Sequence, residues 1–121
     1  MTSTSARAPN RAGTDLDRHL PALRDALEQQ RQFRVEQLDE LTRPAATEHL
    51  VGGPQEVVQR ALRAGAESAL VDIQTALQRM DAGVYGRCMQ CDAAIGLERL
   101  EVLPSALLCM SCQHTRESSR R

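Results

Sequence analysis

Residues 83–113 read GVYGRCMQCDAAIGLERLEVLPSALLCMSCQ, and this stretch decides the fold. It holds all four cysteines of the chain as Cys88-x2-Cys91, seventeen residues, then Cys109-x2-Cys112. Two residues between cysteines let both thiolates of a pair reach one ion at about 2.3 Å from a tight turn, and a second pair completes a tetrahedron. With sulfur at every position no place is left for water. The spacing therefore predicts one structural zinc ion (Zn2+) bound by Cys88, Cys91, Cys109 and Cys112. Binding of this kind contributes about 10 to 16 kcal/mol in model peptides, enough to order a segment with little core. A thioredoxin-like redox pair needs a βαβ context that is not visible around these cysteines, and iron–sulfur clusters use other spacings.

The rest of the chain explains why a staple is needed. It has 121 residues, with one Phe (Phe33), one Tyr (Tyr85) and no Trp, so the bulky side chains of ordinary cores are nearly absent. Leu and Ala supply most of the apolar content, which suits narrowly packed helices. No apolar run approaches the ~20 residues that span a bilayer, and Met1 to Gly13 lacks the apolar stretch of a secretory signal. A cytoplasmic location is expected, where paired cysteines bind metal rather than form disulfides.

Outward from the finger, the pattern is helical. Residues 1–13 read as a disordered tail. Thr14-x-x-Asp17 resembles a capping box, and Leu16, Leu20, Leu23, Leu27, Leu38 and Leu41 mark one apolar stripe. Pro21 either sits in the first turn of a helix starting near Leu20 or kinks a longer one. Arg43-Pro44 ends this arm, because the residue before proline is pushed out of the α region. Gly52-Gly53-Pro54 starts the next, with Pro54 in its first turn. Leu62, Ala66, Ala69, Ile73, Ala76 and Met80 keep a four-three-four spacing, widened by Leu70 and Leu77, and Gly83 stops the helix. The expected fold is mainly α. A long antiparallel coiled-coil hairpin (14–83, arms about 14–43 and 54–82, tip loop 44–53) precedes a small C4 zinc finger and C-terminal tail (84–121). Ile95, Leu97, Leu100, Val102, Leu103, Leu107 and Leu108 are the expected mini-core of the finger, Pro104-Ser105 its turn, and the residues from Gln113 a short polar helix.

The finger resembles the zinc finger of the DksA/TraR family. The carriers are Tyr85-Gly86 before the first cysteine, Ile95, Arg99-Leu100, Pro104 and Cys109-x2-Cys112-Gln113. The resemblance covers the last third of the chain, and the hairpin matches the family's coiled-coil arm in architecture. It implies a transcription regulator that binds RNA polymerase, core or holoenzyme. Finger and base dock at the rim of the secondary channel, and the arm enters it. Two departures stand out. The tip reads RPAATEHLVGGP (43–54) and lacks the family's Asp-x-x-Asp-x-Ala motif, so weak action at the tip is expected, with Glu48 and His49 as the tip residues to watch. Asp92 stands where the family usually has Gly. Asp tolerates the left-handed conformation better than most residues, so the knuckle should survive. Leu103 precedes Pro104 where a basic residue would better suit a polyphosphate, which argues against ppGpp.

Charge narrows the alternatives. The net charge is −1 and all fifteen basic residues are Arg. From Tyr85 onward five arginines stand against four acids, a poor phosphate-binding surface. A zinc-ribbon module contacting nucleic acid or another protein is therefore the second reading, and a hairpin that dimerises through its stripes the third. A monomer is expected, with no sequence-specific DNA binding and no membrane association. Arg87 and Arg99 are the expected charged contacts to polymerase, because a planar guanidinium pairs well with carboxylates. His19, His49 and His114 are far apart in sequence and the four cysteines fill the metal shell. No phosphate loop or nucleophile elbow is present, so no enzyme is expected.

Overall fold

The computed structural model describes residues 7–43 and 53–119. Four helices follow in order: α1 (Arg7–Thr42), α2 (Pro54–Asp81), α3 (Leu97–Val102) and α4 (Met110–Ser119). The expected tip, including Glu48 and His49, lies outside the described residues except for Gly53. So do residues 1–6 of the expected tail.

The first helix starts earlier than the sequence suggests. Residues 7–13, expected to be disordered, are its first two turns. Pro9 falls in the opening turn, where a missing N–H costs no hydrogen bond, and Ala8, Arg11 and Ala12 are good helix formers. Pro21 lies inside the helix at an exposed position, and the helix continues through it. The second helix has Gly53 as its N-cap and Pro54 in its first turn. It ends at Asp81, and Gly83 just beyond turns the chain with a φ of +79° while Val84 N–H bonds the carbonyl of Arg79 at 2.9 Å.

The two long helices run antiparallel. Early α1 meets late α2, as in the Arg24–Asp81 ion pair at 2.7 Å. Leu23 and Leu27 of α1 pack with Ile73, Ala76, Leu77 and Met80 of α2. The same cluster runs on into Tyr85, Cys88, Ile95, Leu100 and Ala106, so the core sits where the hairpin meets the finger. Leu16 and Leu20 from the start of α1 also pack against it.

Burial fades away from that junction. Leu62, expected in the stripe against α1, is 47% exposed. It lies toward the tip, where no third element among the described residues covers the pair. Two residues of the expected mini-core are also exposed: Val102 at 85% and Leu103 at 43%. The third helix has only six residues, and its inward side is taken by Leu97 and Leu100. Among the described residues no helix is long and apolar enough to cross a membrane.

Candidate metal centre

The first cysteine pair sits on a tight hairpin directly after α2. Arg87 and Ala94 face each other in an antiparallel bridge. Inside it Cys88 N–H donates to Ala93 O at 2.8 Å, and just outside it Ile95 N–H donates to Gly86 O at 2.8 Å. The turn closes with Asp92 N–H on Cys88 O at 2.8 Å. That closure needs a left-handed residue, and Asp92 takes it with φ +66°. The position where the resemblance leads one to expect Gly is thus filled by a residue able to adopt the same backbone.

The second pair comes from the start of α4. Cys109 immediately precedes the helix and Cys112 lies in its first turn. A backbone bond from Met89 N–H to Leu107 O at 2.9 Å ties the two segments together. Tyr85 adds a second tie, donating its buried hydroxyl to Pro104 O at 2.8 Å.

The four Sγ atoms lie within 4.8 Å of one another. A tetrahedron with bonds of about 2.3 Å separates its sulfurs by about 3.8 Å. The Cys91–Cys109 sulfur separation is 3.8 Å, well beyond a disulfide, and all four cysteines are free. Each knuckle points backbone N–H groups at its sulfur: Gln90 to Cys88 at 3.4 Å and Cys112 to Cys109 at 3.5 Å. Such donors stabilise thiolate character.

The thiols do not behave alike. Burial resists a charge at Cys88, but the backbone donors of Cys109, Cys91 and Gln90 outweigh it and bring the thiol down to about 6. Cys112 is pushed up to about 12, first by burial and then by hydrogen bonding to the other three cysteines. Four thiols this close ionise together only around a cation. The donor set is therefore one that can hold a metal ion.

The charged groups near the centre are already engaged. Arg87 donates Nε and Nη2 to the two carboxylate oxygens of Asp92, each at 3.0 Å. That contact holds the Asp92 carboxyl below its ordinary range and raises Arg87. Arg79 of α2 reaches under the knuckle and donates to Arg87 O at 3.0 Å and Val84 O at 3.3 Å. Arg99 donates Nε to Leu108 O at 3.3 Å and places Nη1 2.8 Å from the Met110 sulfur. His19 and His114 are outside the cysteine cluster. His19 instead contacts Asp15 O through Nδ1 at 2.8 Å and faces Glu101 through Nε2 at 3.5 Å.

The sequence reading missed the bracing by Arg79 and the Arg87–Asp92 pair. Opposite charges bracketing a Cys-x2-Cys turn were the available signal for the latter. A groove of about 960 Å³ runs between the hairpin and the finger, with Phe33, Arg34, Asp72, Leu103 and Arg116 on its walls.

Comparison with known proteins places this geometry. The prokaryotic dksA/traR C4-type zinc finger matches residues 83–118. Most of the chain is similar to the solved structure of transcription factor DksA2 from Pseudomonas aeruginosa. Identity is 30%, 84% of each chain is covered, and the TM-score is 0.59. No curated protein matches the chain significantly.

Proposed function

The chain belongs to the DksA/TraR family of C4 zinc-finger proteins and is a DksA-like transcription regulator rather than an enzyme; on that premise we propose that its target is RNA polymerase. In this reading the finger and hairpin base dock at the rim of the polymerase secondary channel, and a single chain inserts its arm. One structural zinc ion, held by Cys88, Cys91, Cys109 and Cys112, orders the base and takes no part in chemistry. The site of action is the cytoplasm, where polymerase works.

One observation carries the reading. Buried side chains gather where hairpin meets finger, while the arm runs on with a thin, exposed cross-section. At 1.5 Å per residue, the 28 residues of α2 reach about 42 Å. A firm base with a long slender arm suits insertion into a channel. Arg87 and Arg99 serve as docking contacts in this reading. Each has part of its guanidinium occupied within the chain, which among the described residues leaves Nη1 of Arg87 and Nη2 of Arg99 for partner carboxylates.

Retention of purified core RNA polymerase on the immobilised full-length protein tests the proposal. Wild type should retain polymerase and Cys112→Ser should not. Failure of wild type to bind, or equal binding by Cys112→Ser, contradicts it. The tip is assigned a passive role, so Glu48→Ala and His49→Ala should alter open-complex lifetimes only slightly. Loss of a large effect in Glu48→Ala with polymerase affinity intact would show an active tip.

A further inference from the structure

The second helix is apolar on two opposite sides. One side packs on α1, from Ala66 to Met80. The other looks outward. Val57, Ala61, Ala64, Ser68 and Val71 follow four- and three-residue steps, and all are exposed and uncharged. Val57 exposes 61% of its surface and Val71 58%. The outward side of a solvated helix is ordinarily its most charged side. Here the charges stand beside the seam, with Arg60 and Glu67 seven residues apart along one edge.

We propose that this seam pairs with the same seam of a second copy of the chain. The two helices lie antiparallel about a two-fold axis, with Ala61 of one copy opposite Ala64 of the other. Small residues at the centre let the backbones approach closely, and the flanking valines close both ends. A Cβ added at the neighbouring Gly65 meets nothing within 4 Å, so among the described residues nothing covers the helix beside the seam.

Charge selects the occupant. In an antiparallel pair, residues on the same edge of the two seams face each other. The register that sets Ala61 against Ala64 also brings Arg60 opposite Glu67 of the second copy, and Glu67 opposite its Arg60. One edge thus complements itself under two-fold rotation, as an isologous interface requires. Among the described residues Arg60 makes an exposed contact with Glu56 at 3.5 Å, which is weak enough to be shared or given up. Pairing thickens the arm and keeps it out of a channel that admits one hairpin. That consequence rests on the polymerase reading above, whereas the pairing itself does not.

Sedimentation of the full-length protein from low micromolar to near-millimolar concentration tests the pairing without polymerase. Wild type should shift from monomer to dimer. Arg60→Glu and Glu67→Arg should each weaken the dimer by roughly tenfold, because each places like charges together twice. The double swap should restore it, and Ala64→Glu should leave a folded monomer by circular dichroism. A monomer throughout the range overturns the proposal. So does a dimer that the single swaps leave unchanged or the double swap fails to restore.

Discussion

Arg87 and Asp92 grip each other across the first cysteine turn, Nε to Oδ1 and Nη2 to Oδ2, both at 3.0 Å. Asp92 does so from a left-handed backbone, φ +66°, that most side chains resist. The residue serves two purposes, and substitutions separate them. Asp92→Asn keeps tolerance of the backbone and loses the charge. Asp92→Ala loses both. Asp92→Gly loses the charge but removes the conformational strain. Thermal stability should rank Gly at or above Asp, then Asn, with Ala lowest. The pair is solvent-exposed, so added salt should narrow the Asp–Asn gap and leave the Gly–Ala gap standing.

Gly86 is one of the points where the first half of α1 comes against the finger. A Cβ there would lie 2.8 Å from Leu16 Cδ2, and its φ of +89° suits glycine alone. Gly86→Ala should therefore cost roughly 1 to 3 kcal/mol. In a Leu16→Ala background the steric part should vanish and the backbone part remain. A double-mutant cycle by chemical denaturation reads the difference directly.

Leu27 is fully buried at the hairpin base, and Leu27→Ala should cost about 2 to 5 kcal/mol. Leu62→Ala and Val102→Ala should stay much nearer wild type, because Leu62 is about half-exposed and Val102 almost fully so. Equal losses at all three positions would show that the distal arm and α3 are more deeply packed in solution.

Tyr85 gives a pH signal. Burial raises its phenol from 10.0 to about 12. The unfolded chain loses that proton near 10, while the folded chain keeps it. The Tyr85 contribution to stability should therefore be constant below about 10 and be lost as pH rises from there through about 12. With one Tyr and no Trp in the chain, tyrosinate absorbance reports this residue alone. A folded-state midpoint near 10 would mean that the hydroxyl is not buried on Pro104.

The cysteine spacing, Pro44, the Gly52-Gly53-Pro54 start and the stop at Gly83 made the finger and the two arms legible in the sequence. They are local signals with local physical causes. The early start of α1 was hidden because Pro9 and Gly13 read as breakers, although neither blocks a first turn or a solvated helix. Leu62 and Val102 show a different limit. Periodicity tells which side of a helix is apolar, but only the packing shows whether anything covers it. The same limit hid the use of Leu16 and Leu20 to dock the finger, and the Arg79 brace beneath the knuckle.

Four sulfurs lie within 4.8 Å of one another at the hairpin base, and a single ion is proposed to join them. Elemental analysis of full-length protein purified without oxygen measures this most directly. One zinc per chain is expected. Cys91→Ser and Cys112→Ser should lower that content and unfold the C-terminal third, since removing a ligand removes folding free energy. A fully folded chain with substoichiometric zinc would contradict the account, because the base would then be held together by something other than the metal.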